Sequence, residues 1–195
     1  MRRTFLLLAA GAVLSLHAGS ASATVTIGTG GPDTLAGTNG PDSLFGRAGD
    51  DGLFGRGADD ALYGETGDDL LNGERGDDAT FGGEGDDLLG GGPTGEFGDD
   101  AVYGGPGDDV FGGNPGADAL FGEDGNDLML DSPGEDLFSG GSGDDAIVIA
   151  RFGPGPPELP FESDAIFCGP GLDRVEAHLV DFVAADCEIV TRTAR

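Results

Sequence analysis

The sequence predicts an all-β fold in which short strands stack into a solenoid, with two strands and two turns in each coil of 18 residues. Three observations predict it. A nine-residue repeat recurs thirteen times in the 195-residue chain. Glycine contributes 40 residues, as expected of a chain that consists largely of turns. Each repeat places one apolar residue at the same position, as a minimal strand with one inward side chain requires.

The repeats form two blocks. Residues 28–90 hold seven repeats and residues 95–148 hold six, with four extra residues, Gly91 to Thr94, between the blocks. Counting the first residue of each repeat as position 1, position 4 is Gly in twelve repeats and position 8 is apolar in twelve. A disordered, acidic, glycine-rich tract would not hold its apolar residues in phase. Position 6 is aspartate in every repeat: Asp33, Asp42, Asp51, Asp60, Asp69, Asp78, Asp87, Asp100, Asp109, Asp118, Asp127, Asp136 and Asp145.

Within a repeat, positions 1 to 6 are expected to form a turn and positions 7 to 9 a strand. Two repeats complete a coil, and stacked coils bring equal positions about 4.8 Å apart in parallel ladders. The extra residues 91–94 should bulge between two turns without changing the side that any repeat faces. The position-8 side chains then form one thin core: Leu35, Leu44, Leu53, Leu62, Leu71, Leu89, Val102, Phe111, Leu120, Met129, Phe138 and Ile147.

Stacking also brings the position-6 carboxylates of alternate repeats close together. Each neighbouring pair repels by on the order of 1 kcal/mol or more. A divalent cation removes this repulsion. Calcium fits best, because it takes roughly six to eight oxygen ligands, whereas magnesium requires strict octahedral geometry and zinc prefers histidine and thiolate. Several calcium ions are therefore the expected cofactor.

The repeats resemble the RTX, or haemolysin-type, calcium-binding nonapeptide G-G-x-G-x-D-x-U-x over Gly28 to Val148. The resemblance implies a parallel β-roll, which is a right-handed solenoid of two sheets with 18 residues per coil. It also implies that calcium lies between a turn and the turn two repeats further on. The position-6 aspartates given above are then the metal ligands, together with backbone carbonyls of the glycine turns.

The chain departs from this pattern in its turns. Position 2 is Gly in three repeats only and is often Glu or Arg elsewhere, which predicts a looser turn. Ala58 and Asp131 replace Gly at positions 4 and 1, so their turns are expected to be the least regular.

Position 9 of the even-numbered repeats carries aromatic residues: Phe45, Tyr63, Phe81, Tyr103 and Phe121. Because even repeats stack in one sheet, these rings are expected to form a ladder on its outer face. Two interpretations stay open. The ladder stabilises the sheet by cross-strand packing, or it is a contact surface for a second copy, the C-terminal segment, a protein or a glycan.

Both ends of the chain differ from the repeats. Residues 1–23 combine a basic start, an apolar run and a small-residue cleavage site, which predicts a secretory signal peptide. The short start and strongly apolar run favour the general route, and the twin-arginine route stays open. Residues 24–150 are expected to be the β-roll, 151–163 a Pro/Gly linker and 164–195 a C-terminal cap. The cap holds a degenerate repeat at 168–176 and the two cysteines, Cys168 and Cys187, for which a disulfide is expected.

The composition argues against several classes of partner and enzyme. The net charge is −28 with 37 acidic residues, so nucleic acid and anionic lipid are not expected partners, and no apolar segment is long enough to span a membrane. The chain has no lysine for a phosphate-binding loop, and neither H-E-x-x-H nor G-x-S-x-G occurs. No enzymatic activity is expected, although residue types leave a paired-carboxylate glycosidase open.

The sequence favours a secreted, extracellular calcium-binding protein whose folding is coupled to calcium, with a structural, cell-surface or matrix role. The alternative is a calcium-dependent adhesion module that binds carbohydrate or protein through the aromatic ladder.

Overall fold

The computed structural model describes residues 14–16, 23–90, 98–112, 115–130, 133–149, 163–178 and 181–193. All regular structure in these residues is β. The first sheet contains β1 (Leu14–Leu16), β2 (Thr24–Ile27), β4 (Asp42–Ala48), β6 (Ala61–Thr66), β8 (Ala79–Glu84), β10 (Ala101–Pro106), β12 (Ala119–Asp124), β14 (Leu137–Ser142), β16 (Ala165–Phe167) and β18 (Phe182–Val183). The second sheet contains β3 (Thr34–Ala36), β5 (Gly52–Gly57), β7 (Leu70–Arg75), β9 (Leu88–Gly90), β11 (Val110–Gly112), β13 (Leu128–Leu130), β15 (Ala146–Val148), β17 (Arg174–His178) and β19 (Ile189–Thr193).

From β2 onward, successive strands alternate between the two sheets, and each strand pairs in parallel with the strand one coil away. In the regular region Ala61 lies opposite Ala79, and Leu53 lies opposite Leu71. The predicted solenoid of two parallel sheets with 18 residues per coil is therefore confirmed.

The extra residues 91–94 lie outside the described residues, but their effect on the register is visible. Ala79 pairs with Ala101 and Leu88 pairs with Val110, so this coil is longer than its neighbours. The strand β10 nevertheless joins β8 in the first sheet, and β11 joins β9 in the second. The prediction that the insertion leaves every repeat on its own side is confirmed.

The core consists of the position-8 side chains, as the repeat predicts. Leu53, Leu62 and Leu71 are completely buried, as are the larger Phe111 and Met129. Each such side chain stabilises the fold by roughly 1.5–3 kcal/mol relative to exposure. Because each coil contributes only two of them, the core is a thin column and adds little stability per coil.

The aromatic residues of position 9 form the expected ladder on the first sheet. Neighbouring rings of Phe45, Tyr63, Phe81, Tyr103 and Phe121 have centroids 4.8–5.0 Å apart and planes within 10° of parallel. All five side chains are half-buried. Since the rings stack along the solenoid axis, each inner ring has its faces covered by its neighbours and presents only an edge to solvent.

The C-terminal residues extend both sheets. Ala165 of β16 pairs with Leu137, and Arg174 of β17 pairs with Ala146, so the chain returns to the stack after residues 150–162, which lie outside the described residues. Strands β18 and β19 complete a further coil. The expected disulfide is present: Cys168 and Cys187 are bonded, with their Cα atoms 5.2 Å apart.

At the other end, β1 pairs antiparallel with β2, with Leu14 opposite Ile27. Except for β1 and Ala23, the predicted signal peptide of residues 1–23 lies outside the described residues, and its cleavage stays a prediction. The described part of the chain contains no helix long and apolar enough to cross a bilayer.

Candidate metal sites in the turns

From the third repeat onward, position 2 is left-handed in every turn where it is described, and position 4 is left-handed in most of these turns. Position 2 has a positive φ whether the residue is Gly, as at Gly83 (118°), or is charged, as at Arg47 (86°) and Glu65 (77°). A charged residue in place of Gly at position 2 therefore keeps the left-handed conformation. This introduces strain, because a left-handed backbone costs a non-glycine residue about 1–2 kcal/mol.

Ala58 offers a test of that strain. It occupies position 4 with φ 71°, where Gly67 and Gly76 have φ 130° and 121°. We expect Ala58→Gly to raise the free energy of unfolding by roughly 0.5 kcal/mol, because relief of left-handed strain exceeds the entropic cost of glycine. Denaturant unfolding in calcium measures this change. The control Ala61→Gly, in strand β6, should instead destabilise the protein, and a loss of stability in both variants would contradict the strain argument.

The position-6 carboxylates line the inside of the turns in two rows. From Asp42 to Asp145 they are at most 4% exposed. In each row the backbone N–H of one aspartate donates a hydrogen bond to Oδ1 of the aspartate one coil further on. For example, the Asp51 N–H lies 2.7 Å from Asp69 Oδ1, and the Asp69 N–H lies 2.8 Å from Asp87 Oδ1. These bonds fix the orientation of every carboxylate in the row.

The second carboxylate oxygen, Oδ2, is buried in most turns, and no described residue donates a hydrogen bond to it. A buried, unsatisfied charged oxygen costs several kcal/mol if it is left alone. This situation recurs at Asp51, Asp60, Asp69, Asp78, Asp87, Asp109, Asp127, Asp145 and Asp173.

Backbone carbonyls approach the same oxygens. A Cβ placed on Gly46, at position 1, would lie 2.5 Å from Asp51 Oδ2 and 2.8 Å from the carbonyl oxygen of Gly64 on the next coil. Glycine at position 1 therefore leaves room for a carboxylate oxygen and a carbonyl oxygen to converge. Among the described residues no three His, Cys, Asp or Glu side chains form a metal cluster. The turns instead combine carboxylates with carbonyls, which is the all-oxygen donor set that calcium prefers.

The electrostatics of the rows agree with this donor set. Burial, reinforced by neighbouring carboxylates and opposed by the backbone hydrogen bond, raises the pKa of Asp60, Asp78, Asp87, Asp109 and Asp118 to about 7. The same causes raise the pKa of Asp69 and Asp127 to about 6. Without a cation, the charged rows are thus unfavourable at neutral pH.

Asp33 and Asp42 differ from the other position-6 aspartates. The N–H and hydroxyl of Thr29 lie 2.5 and 2.8 Å from Asp33 Oδ2, and those of Thr38 bond Asp42 Oδ2 in the same way. Thr24 donates two further hydrogen bonds to Asp42 Oδ1. Burial alone would raise the pKa of Asp42, but the hydrogen bonds from Thr24 and Thr38 bring it below 3.8.

The first two turns therefore satisfy their carboxylates with threonine. Sequence reasoning missed this distinction, although a signal exists: only these two repeats combine Thr at position 2 with Pro at position 5, in GTGGPD and GTNGPD.

Position 5 contributes a separate, exposed row of acids. The Asp68 N–H donates to Asp50 Oδ1 at 3.3 Å, and the Asp108 N–H donates to Asp86 Oδ1 at 2.9 Å. These carboxylates face solvent and add to the negative potential around the turns, which attracts cations.

Comparison with known proteins agrees with the geometry. The sequence model of the RTX calcium-binding nonapeptide repeat matches four times, at residues 27–62, 54–89, 94–129 and 112–147, and these matches cover more than half of the chain. A search of curated proteins found no match. The matched residues carry the aspartate rows and the glycine turns just described. The chain therefore belongs to the RTX calcium-binding nonapeptide repeat family, and its β-roll binds several calcium ions.

Proposed function

We propose that this protein is a secreted, extracellular structural component, at the cell surface or in a matrix, whose β-roll is held together by calcium. The observation that carries the proposal is the row of buried Oδ2 atoms that accept no hydrogen bond from the described residues. Such rows are unfavourable in a protein that works without a cation. They suit an extracellular setting, where calcium reaches millimolar concentrations and sites of modest affinity fill.

We infer that the calcium ligands are the position-6 aspartates from Asp51 onward, whose carboxylates share one arrangement. Their Oδ1 atoms accept a backbone N–H of the adjacent coil, and at Asp51 this leaves Oδ2 directed at the space beside the position-1 glycine, Gly46. The carbonyl of the next coil, as at Gly64, supplies a further oxygen. Calcium bound there supplies the positive charge that allows adjacent coils to stack.

Asp33 and Asp42 were predicted as ligands with the other aspartates. Because Thr29 and Thr38 already donate to their Oδ2 atoms, we propose that the first two turns are closed by threonine rather than by calcium. The N-terminal coil would then stay folded where the others require metal.

The pair Asp69→Asn and Asp42→Asn tests this assignment. Both aspartates are buried, occupy position 6 and accept a hydrogen bond at Oδ1, so the substitutions are matched. We expect Asp69→Asn to bind about one to two fewer calcium ions per chain, since its turn faces one neighbour on each side. Asp42→Asn should bind as many ions as the wild type. Isothermal titration calorimetry and equilibrium dialysis count the bound ions.

The two variants separate the outcomes. Equal losses of calcium in both would show that threonine does not replace metal in the first turns. Full calcium binding by Asp69→Asn would show that the position-6 carboxylates are not the ligands.

The aromatic ladder favours a structural role over glycan binding. Sugars stack on open ring faces, whereas the faces of Tyr63, Phe81 and Tyr103 are covered by the adjacent rings at 4.8–5.0 Å. The ladder therefore supports cross-strand packing within the first sheet. A catalytic carboxylate pair is equally disfavoured, since the buried acids are bonded into the turn stack.

A further inference from the structure

We propose that removal of residues 1–23 uncovers an edge of strand β2 at the N-terminal end of the roll, and that two copies of the mature chain, residues 24–195, join end to end there. The two β2 strands then run antiparallel across a two-fold axis. The proposal rests on the proposed function in one respect, because secretion must remove the predicted signal peptide. It goes beyond that function by naming a second copy of the chain as a partner.

The structure shows that this edge accepts an antiparallel strand. Strand β1, which belongs to the predicted signal peptide, pairs with β2 so that Ser15 lies opposite Thr26. In the first sheet β1 is the outermost strand, and β2 is the next one in. Cleavage after Ala23 removes β1 and leaves β2 as the end of the sheet.

The backbone of β2 has hydrogen-bonding groups to offer at this edge. The Thr24 N–H donates to Asp42 Oδ1 of β4 at 2.7 Å, and the Gly28 N–H donates to a carbonyl of the same strand. Because successive residues of a strand point to opposite sides, the N–H and carbonyl groups of Val25 and Ile27 point away from β4. An unpaired edge of this kind is a template for another chain.

A second copy of β2 can take the place of β1, because the two strands share one pattern. β1 reads Leu-Ser-Leu and β2 ends in Val-Thr-Ile, so each has a hydroxyl residue between two apolar ones. With the two-fold axis at Thr26, Val25 of each copy lies opposite Ile27 of the other. Each such pair exchanges two backbone hydrogen bonds, and the contact is the same from both sides, as a closed dimer requires.

The charge distribution favours contact at this end. Residues 24–46 hold only two of the 37 acidic residues of the chain, Asp33 and Asp42, and no basic residue. Both carboxylates accept hydrogen bonds from threonine. The remaining acids follow along the roll and its C-terminal coils, where two copies would repel each other. The N-terminal end is therefore where a second copy meets the least repulsion.

The C-terminal end is a poorer edge. Its last strand in the first sheet, β18, has two residues and follows Asp181. In the second sheet β19 carries Arg192, and Glu188 precedes that strand. Short strands and charged residues discourage pairing at an edge. We therefore expect a closed dimer of N-terminal ends rather than an open stack in which one end of a copy meets the other end of the next.

The first test is the mass of residues 24–195 in saturating calcium, measured by sedimentation velocity over a concentration series. One strand per copy makes a small interface, so we expect a dissociation constant on the order of 100 µM and a monomer at about 5 µM. Val25→Pro removes an N–H that faces the edge and leaves the Thr24 bond to β4, so it should weaken the dimer at least about tenfold.

A matched pair of lysine variants serves as the control. Val25 and Phe182 occupy the same position on the first and last strands that the roll contributes to the first sheet, and both are exposed. Val25→Lys should weaken the dimer as Val25→Pro does, because a charge blunts the edge. Phe182→Lys should dimerise like the wild type. Far-UV circular dichroism in calcium verifies that each variant is folded.

A cysteine at the two-fold axis tests the geometry. In the proposed dimer the two Thr26 residues form a pair without backbone hydrogen bonds, whose Cα atoms lie about 4.5 Å apart, within reach of a disulfide. Under mild oxidation Thr26→Cys should form a covalent dimer at least about tenfold faster than Thr34→Cys, in the terminal strand of the second sheet. Peptide mapping must place the bond between two copies of β2, with the Cys168–Cys187 disulfide intact.

The outcomes separate the proposals. A wild type that binds calcium and folds but stays monomeric up to about 500 µM overturns the dimer and leaves the proposed function intact. A wild type that binds no calcium overturns the proposed function instead. N-terminal sequencing of exported protein that still carries β1 would show that the edge is not uncovered. Assemblies larger than a dimer, weaker association of Phe182→Lys, or equal cross-linking of Thr26→Cys and Thr34→Cys would overturn the end-to-end arrangement.

Discussion

Residues 24–195 freed of calcium at about pH 8 should lose most of their β structure, and millimolar calcium should restore it. The physical reason is the two rows of buried aspartates, which run from coil to coil with one oxygen fixed and the other unsatisfied. Like charges about 4.8 Å apart repel by on the order of 1 kcal/mol or more at the effective dielectric of a protein. The core offers only two position-8 side chains per coil to oppose this.

Far-UV circular dichroism and hydrodynamic radius, followed during calcium titration, measure the transition. Magnesium is the matched control, because it carries the same charge but demands octahedral geometry and loses water reluctantly. It should restore less structure at the same concentration. If the chelated protein kept its full β signal and its melting temperature, the rows would be stable without metal and the coupling of folding to calcium would be refuted.

The repeat made most of this fold predictable from sequence. A strict nine-residue period places position 8 inward and assigns alternate repeats to different sheets, so the core residues follow directly, Leu53 and Met129 among them. Even the register across residues 91–94 could be predicted, because four extra residues in a turn lengthen a coil without reversing a strand. Periodicity carries such information because stacking is a nearest-neighbour interaction between identical units.

The difference between the first two turns and the others could not be predicted from the period. Asp33 and Asp51 occupy the same position, and only the structure shows that the Thr29 side chain bonds the first while Oδ2 of the second accepts no such bond. Thr29 lacks the positive φ that position 2 has in later turns, as at Arg47, and in this conformation its hydroxyl reaches the carboxylate. The sequence pattern contains the threonine but not that conformation.

The sequence predicts strands in the C-terminal segment but not their register. The cysteines and the D-x-apolar pattern indicate strands, yet the spacing from Arg174 to Ile189 differs from the regular coil. Here Glu188 takes the hydrogen-bonding role that aspartate has elsewhere. Its longer side chain compensates for a shorter turn, which no periodic rule anticipates.

In the absence of calcium, lowering the pH should restore part of the β structure. The metal-free protein at about pH 5 is expected to contain much more β structure than at about pH 8. Burial raises the pKa of Asp60, Asp87 and Asp109 to about 7 in the metal-free roll, against 3.8 for an ordinary aspartate. A group whose pKa is raised in the folded state stabilises that state while the group is protonated. This stabilisation is complete below the pKa of the unfolded chain and is lost as the pH rises through the pKa of the folded roll.

The position of the transition identifies the groups responsible. If the buried rows control folding, β structure in metal-free protein should be lost between about pH 6 and pH 7, whereas control by ordinary exposed acids would place the midpoint near pH 4. Sedimentation velocity at each pH must show a monomer, because lower net charge also promotes association. Protons also compete with calcium for the ligand oxygens of the folded roll, so its apparent affinity for calcium should fall as the pH falls. Only groups with raised pKa values bind protons on folding between about pH 6 and pH 7. A midpoint near pH 4, or no gain of β structure in acid, would therefore mean that burial of the aspartates is not what destabilises the metal-free roll.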